Sequence, residues 1–327
     1  MEAPLLKDRI FSSPRLVPCN LCGTSACREI FPSTLRTPDE KADFSVFGSA
    51  GEHPPVVQCE QCGLVYANPP DDGEWLARQY LRTPVTHYLA EKGAREQTAR
   101  ADAALVCRHV SPGPVLDVGC SAGLFLHALP PEYPPLGIEP SVAAATEARK
   151  LLGEHAVINM PLEKTELPQN HFQAITLWDV IEHLSDPAGT VRHLVSRLRP
   201  GGALFLVTPD FGSLFARLTG PRWPHLVRHH LFFFTQRSLT KLLEASGLRV
   251  LSISTHTCHF SLRYLLERAG FLAVSPEGNG KKGHSPLMSA IVPVNLGDAM
   301  LVVAVKPSLP QGIGQTGFRC QRRCRIT

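Results

Sequence analysis

The most informative stretch for the fold is Val115-Leu116-Asp117-Val118-Gly119-Cys120-Ser121-Ala122-Gly123. A short apolar strand runs into a turn with two glycines, and Leu124–Leu129 then begins a helix. Glycine permits positive φ and close approach of a ligand to the backbone, and the helix N-terminus offers unpaired N–H groups. A dinucleotide-binding turn needs glycine at 119, 121 and 124. Positions 121 and 124 hold Ser and Leu, so the pyrophosphate fingerprint is absent.

Downstream of this turn, strand-like and helix-like segments alternate. The helices are expected at Val142–Leu152, with Ser141 as N-cap, at Pro187–Leu198 and at Leu239–Ser246. The seven expected strands are Pro114–Val118, Leu136–Glu139, Ala156–Asn159, Phe172–Trp178, Ala203–Thr208, Arg249–Thr255 and Asp298–Val305. This alternation predicts an α/β fold with a doubly wound, parallel-type sheet and helices on both faces.

Glu139 ends the second of these strands, 22 residues after Asp117. Open α/β sheets bind ligands at the carboxyl ends of their strands, and a carboxylate there can accept hydrogen bonds from both hydroxyls of a ribose. The glycine turn and the acid together predict a nucleoside site. The alternative is a tight turn between strand and helix with an unrelated surface acid.

Four ordered motifs resemble class I S-adenosylmethionine-dependent methyltransferases over about residues 88–306. They are Asp117–Gly123, Gly137–Ser141, Leu177–Leu184 and Leu198–Gly202. The resemblance implies a seven-stranded Rossmann-like methyltransferase sheet, with Ser121 standing where the family commonly has glycine. It also implies which residues hold S-adenosylmethionine, between them at its amino acid end, ribose, adenine and sulfonium. These residues are Asp117, Gly119, Cys120, Gly123, Glu139, Leu162, Glu163, Trp178 and Asp179.

Two cysteine pairs precede this core. Cys19 and Cys22 form one CxxC unit, Cys59 and Cys62 form another, and each unit is followed by Gly. Four thiolates in two such units suit a closed, structural tetrahedral zinc site, for which Cys27 and His53 could compete as ligands. The alternative is four unrelated buried cysteines. A four-cysteine head before this core resembles zinc-headed methyltransferases that act on sugars and sugar nucleotides.

Histidine is the first candidate for removing a proton from the methyl acceptor. His183 follows the fourth strand, and His230 precedes the aromatic run Phe232–Phe234. In the zinc-headed C-methyltransferases a histidine precedes a similar run, and His230 matches that position. Those enzymes usually carry tyrosines where this chain has phenylalanines. Either histidine could instead pack or cap a helix.

The chain divides by composition into four regions. Residues 1–65 form the zinc-binding head, 66–110 a helical connection, 111–307 the methyltransferase domain, and 308–327 a basic, disordered tail. The formal charge of the 327 residues is +4, but Gln311–Thr327 holds four arginines and no acid. The body is therefore near neutral, which argues against nucleic acid as a partner.

The composition also bears on location. The longest apolar run, Ala299–Val305, is far shorter than the roughly 18 residues of a membrane span. The first ten residues lack the apolar region of a secretory signal, so a cytoplasmic location is expected. The resemblance to sugar methyltransferases implies a small-molecule acceptor. Two alternatives remain: an RNA methyltransferase, and a zinc-stabilised binding module with a catalytically silent methyltransferase fold. The oligomeric state is left open.

Overall fold

The computed structural model describes residues 16–36, 51–82, 85–268, 271 and 286–308. The predicted basic tail lies outside this part, apart from Ser308. In chain order the strands are β1 (Cys27–Phe31), β2 (Val56–Cys59), β3 (Val65–Ala67), β4 (Val115–Val118), β5 (Pro135–Ile138), β6 (Val157–Ile158), β7 (Phe172–Trp178), β8 (Leu198–Pro209), β9 (Phe232–Phe233), β10 (Arg249–Thr255), β11 (Cys258–Ser261), β12 (Ile291–Val294) and β13 (Ala299–Val305). The helices are α1 (Gly73–Arg82), α2 (Thr86–Ala90), α3 (Lys92–His109), α4 (Leu124–His127), α5 (Val142–Leu152), α6 (Pro187–Arg197), α7 (Leu214–Thr219), α8 (Gln236–Ala245) and α9 (Leu262–Arg268).

The predicted seven-stranded sheet is confirmed, with the order β10-β13-β8-β7-β4-β5-β6. It is mixed rather than wholly parallel, because β13 runs antiparallel to both of its neighbours, β8 and β10. After β10, the chain forms β11 and later its antiparallel partner β12, and it enters β13 from the edge at which β10 ended. A strand that enters from that edge must run back antiparallel, which the strand and helix pattern alone did not reveal.

Several element boundaries differ from the predicted ones. Strand β8 begins at Leu198, because the predicted turn is an irregularity within an extended strand, with Gly201 at φ 79°. The segment 66–110, predicted as a helical connection, holds the three helices α1, α2 and α3. Helix α8 begins three residues early because Thr235 and Ser238 form a capping box. Helix α5 has the predicted bounds, and the Ser141 hydroxyl accepts from Ala144 N at its start.

The head forms a four-stranded sheet in the order β1-β2-β3-β9. Its last strand comes from beyond β8: Val65 is paired with Phe233, and Tyr66 with Phe232. Asn20, between the first two cysteines, bonds to Asp186 and to Ala188 N at the start of α6. Since α6 follows β7, these contacts place the head at the carboxyl edge of the large sheet.

The centre of the large sheet is almost completely apolar. Every residue of β7 from Phe172 to Leu177 is buried, as expected for a strand covered on both faces. Cys19 and Cys59 belong to the same hydrophobic cluster as Leu116 and Ile175 of the sheet, so head and sheet share a core. Among the described residues, none of the helices is long and apolar enough to cross a membrane.

Candidate functional site

The turn after β4 requires its two glycines. Gly119 has φ 74° and Gly123 has φ 78°, in the left-handed region that favours glycine. A Cβ at Gly119 would lie 2.8 Å from Val180 Cγ2, and one at Gly123 would lie 2.8 Å from Leu152 Cδ1. The first contact is with the segment after β7 and the second is with α5. The glycines therefore let the turn pack tightly against two neighbouring elements.

Glu139 lies beside this turn at the carboxyl edge. Its Oε2 accepts from Ser121 N and its Oε1 from Ser141 N, both at 2.8 Å. Burial raises the pKa of the carboxyl, and these two N–H groups oppose that shift. Each carboxylate oxygen keeps a further lone pair that could accept from a hydroxyl. The acid and the glycine turn, 18 residues apart in sequence, are thus joined directly.

Of the other predicted cofactor residues, Asp117, Cys120 and Leu162 are buried and Glu163 is not. Asp117 accepts a 2.6 Å bond from Thr176 Oγ1, and burial raises the pKa of its carboxyl to about 8. The Cys120 thiol packs against Gly137, where an added Cβ would lie 2.5 Å from Sγ. Leu162 is buried in the core and Glu163 is exposed.

Trp178 ends β7, and Asp179 follows it at the carboxyl edge of the large sheet. Asp179 is exposed to solvent, yet desolvation by the surrounding protein raises the pKa of its carboxyl, opposed by attraction to His256, His225 and Arg95. Asp179 also has φ 54°, a strained value for a residue with a side chain.

Three buried polar atoms have no hydrogen-bond partner within the described part of the chain and belong to residues that adjoin Asp179 or interact with its charge. They are Arg95 Nε, Trp178 Nε1 and Glu182 Oε1. Buried polar atoms are normally satisfied, so these three are candidates to bond a ligand. Arg95, whose guanidinium lies 4.1 Å from the centre of the Tyr88 ring, was not predicted from the sequence. It carries no local motif, so only its place on α3 reveals it.

The structure brings the two candidate histidines together with a third. The ring centroids of His183 and His230 are 4.7 Å apart, and His229 lies 5.3 Å from the first and 5.1 Å from the second. One ring nitrogen of each lies within 4.8 Å of the others, so the three could share a metal ion. Tyr80 OH lies 3.0 Å from His183 Nδ1.

Backbone carbonyls fix the tautomers of the two candidate bases. Nδ1 of His183 donates to His229 O at 2.9 Å, and Nδ1 of His230 donates to His225 O at 2.8 Å. A carbonyl only accepts, so both rings carry the proton on Nδ1 and the lone pair on Nε2. Burial lowers the pKa of His183 to about 4 and that of His230 well below its ordinary value. Both are therefore neutral near pH 7.

The segment that carries His229 and His230 is fixed on both sides. Arg228 is buried, pairs with both carboxylate oxygens of Asp71 at 2.7 and 2.8 Å, and lies over the Trp75 ring. On the other side, Leu231 N donates to Glu182 O at 2.8 Å. A two-point contact between guanidinium and carboxylate restricts orientation as well as distance, so the histidines are held rigidly.

The four cysteines of the head converge as the spacing predicts. Cys19 Sγ lies 3.4 Å from Cys62 Sγ, Cys22 Sγ lies 3.5 Å from Cys59 Sγ, and all four sulfurs lie within 4.8 Å of one another. Sulfur atoms around a tetrahedral zinc are roughly 3.8 Å apart, from a Zn–S distance of about 2.3 Å. The donor set therefore fits zinc.

The two competing ligands lie outside this group. Cys27 Sγ is 3.9 Å from Asn68 Nδ2, and His53 Nδ1 is 2.7 Å from Pro54 O. Within the cluster, burial raises the pKa of Cys19 and Cys62, whereas at Cys59 hydrogen bonds from Cys62 N–H and from neighbouring thiols outweigh burial and lower the pKa to about 7. A thiol that ionises readily is a ready metal ligand.

The sheet order, the glycine turn and the acid at the next strand define a class I S-adenosylmethionine-dependent methyltransferase. A family model described as "Methyltransferase domain" matches residues 86–253, just over half of the chain. The chain belongs to this methyltransferase-domain family. The predicted fold class and enzyme class are confirmed.

Curated relatives carry the name ubiquinone biosynthesis O-methyltransferase. The protein of Coxiella burnetii is 27% identical over 152 residues, which cover 43% of this chain and 65% of the relative. That of Xanthomonas campestris pv. campestris is 32% identical over 101 residues, covering 29% of this chain and 42% of the relative. The chain thus spans less than two thirds of the length of these relatives.

Solved structures of methyltransferases align with about two thirds of this chain at low identity. A methyltransferase of Thermotoga maritima, named a possible histamine N-methyltransferase, aligns with 64% of this chain and 90% of its own, with a TM-score of 0.43 and 19% identity. The geranyl diphosphate C-methyltransferase of Streptomyces coelicolor aligns with 63% of this chain and 78% of its own, with a TM-score of 0.44 and 13% identity.

Proposed function

We propose that this methyltransferase acts on a hydroxyl of a small polar molecule, a sugar or a nucleotide-linked sugar. The observation that carries the proposal is the cluster of neutral histidines formed by the segment after β7 and the segment before β9. Imidazoles, the Tyr80 hydroxyl and a carboxylate make a polar wall, which suits an acceptor rich in hydroxyls. The name of the curated relatives supports oxygen as the methylated atom, and the cysteine head resembles that of sugar methyltransferases.

Residues at the carboxyl edge of the sheet bind three parts of S-adenosylmethionine: the ribose, the amino acid end and the sulfonium. Glu139 accepts from the ribose hydroxyls, since it is already oriented by Ser121 N. Arg95, whose buried Nε has no partner among the described residues, pairs with the carboxylate of the amino acid end. Trp178 and Asp179 flank the sulfonium. When bound, the sulfonium supplies a methyl group that is transferred directly to the acceptor oxygen.

His183 and His230 are the general bases for the hydroxyl of the acceptor. Nε2 of each ring carries a lone pair because Nδ1–H is bound to a carbonyl, so either can accept the hydroxyl proton as the new bond forms. Their neutrality keeps them in the accepting form. The four thiolates of the head hold a structural zinc ion, which fixes β3 and its partner β9 and so the segment bearing His230.

The test is to incubate the purified chain with S-adenosylmethionine and a panel of sugars, nucleotide-linked sugars and transfer RNA. We expect a mass increase of one methyl group on a sugar-containing acceptor, and none on RNA. Methylation of RNA alone would contradict the proposed acceptor. Tight cofactor binding with no transfer to any member would indicate the silent binding module instead.

Replacing Glu139 with Gln should weaken S-adenosylmethionine binding by about 10²-fold, because charge-assisted bonds to two hydroxyls are replaced by weaker ones. Isothermal titration calorimetry measures the change. Glu132→Gln is the matched control, since Glu132 is exposed and precedes the same strand at its opposite end. Equal affinities for the two variants would remove Glu139 from the cofactor site.

A further inference from the structure

Three side chains outside the sites above form a continuous chain of polar contacts. Asp102 on α3 has its Oδ1 2.9 Å from Nε2 of His256. Nδ1 of the same imidazole lies 3.4 Å from Sγ of Cys258, at the start of β11. Asp102 and His256 are buried, and Cys258 is half-buried. The fold assembles this group from positions 154 residues apart.

The order of the three groups fixes the direction of proton transfer. Burial raises the pKa of Asp102, and its hydrogen bond with His256 opposes that shift. The Asp102 carboxylate accepts from Nε2–H of His256, so Nδ1 is the atom that faces the thiol. Burial opposes a charge on the ring, but hydrogen bonds to Asp102 and Cys258 raise the pKa of His256 to about 10. The imidazole therefore takes and keeps a proton near neutral pH. A nucleophile beside a base that is oriented by a third group is the general arrangement of an activated thiol.

We propose that Cys258 is an activated thiol and a site of covalent modification by electrophiles and hydroperoxides. The thiol proton passes to Nδ1 of His256, and the thiolate is the attacking species. With a hydroperoxide, a sulfur–oxygen bond forms as the oxygen–oxygen bond breaks. The departing alkoxide takes the proton from His256, which leaves a sulfenic acid and an alcohol.

This group lies beside Trp178, the last residue of β7. The His256 ring lies 6.4 Å from the Trp178 ring, centroid to centroid, with planes 20° apart. His256 also interacts with the charge of Asp179. A modification at Cys258 thus adds bulk and polarity beside His256 and close to Trp178. The reactivity of Cys258 does not depend on which acceptor is methylated.

The experiment measures labelling rates in the full chain at neutral pH, with limiting iodoacetamide and quantification of each cysteine peptide by mass spectrometry. Cys107 on α3 is also half-buried and serves as the internal reference. We expect Cys258 to react at least about tenfold faster than Cys107. Treatment with a hydroperoxide and dimedone should trap a sulfenic acid at Cys258. A smaller ratio, or no trapped adduct, would overturn the proposal.

Variants separate the effect of the imidazole from simple exposure. Asp102→Asn and His256→Gln should each slow labelling of Cys258 at least about fivefold and leave Cys107 unchanged. His259→Gln is the matched control, because His259 adjoins Cys258 but has its Nδ1 3.2 Å from Thr98 Oγ1. An unchanged Cys258 rate in Asp102→Asn would refute the relay. That variant retains the shape of the side chain, so the test stands even if His256→Gln unfolds.

Discussion

Replacing His230 with Ala is expected to lower turnover by about 10²–10⁴-fold, the usual contribution of a positioned general base. His183→Ala should have a similar effect, because the two rings are 4.7 Å apart and share one environment. The affinity of each variant for S-adenosylmethionine should stay within about twofold of that of the unmodified protein, since neither ring is placed at the ribose or the amino acid end of the cofactor. Initial rates with the methylated acceptor and calorimetry with the cofactor give the two quantities.

The matched control is His155→Ala, because His155 is exposed and precedes β6 at the amino edge of the sheet.

The lowered pKa of His183, about 4, also predicts the pH profile of turnover. A base must be neutral to act, so turnover should be level above about pH 5 and fall only at lower pH. Unchanged turnover in both histidine variants, or an acid limb near pH 6.5, would show that the cluster does not take the proton.

Replacing Cys59 with Ser is expected to release zinc and to destabilise the head. Structural zinc supplies about 10–16 kcal/mol in small zinc-finger peptides, so losing one of four ligands should cost at least roughly 3 kcal/mol here. At about 2–4 °C per kcal/mol, the melting temperature should fall by about 6–12 °C. Turnover should also fall, because β9 of the head sheet leads out of the segment bearing His230. Elemental analysis and thermal unfolding measure the outcome.

Cys27→Ser provides the matched control, since Cys27 lies next to the cluster but outside the four-sulfur group. It should retain about one zinc per chain and the original melting temperature. If the Cys59 variant retains its zinc, or if the unmodified protein contains none, the four thiols are not a zinc site.

Local sequence patterns predicted much of the scaffold. The bounds of α5 and its Ser141 cap follow from helical spacing and a capping residue, which act within one turn of helix. The convergence of Cys19, Cys22, Cys59 and Cys62 follows from their paired spacing. The strands β1, β2, β3 and β9 of the head sheet and the pair β11 and β12 were missed, because strands of two to five residues outside the regular alternation with helices show too little periodicity to be recognised.

The turn after β4, the strands that follow it and the paired cysteines could be predicted from local patterns of residue types. The packing of the folded chain set which polar groups come into contact. Tyr80 reaches His183 across 103 residues, and Asp102 reaches His256 across 154. It also decided that β13 runs antiparallel and that β9 joins the head. Such meetings depend on how sheet and helices pack, and packing is set by many weak contacts that no local pattern of residues encodes.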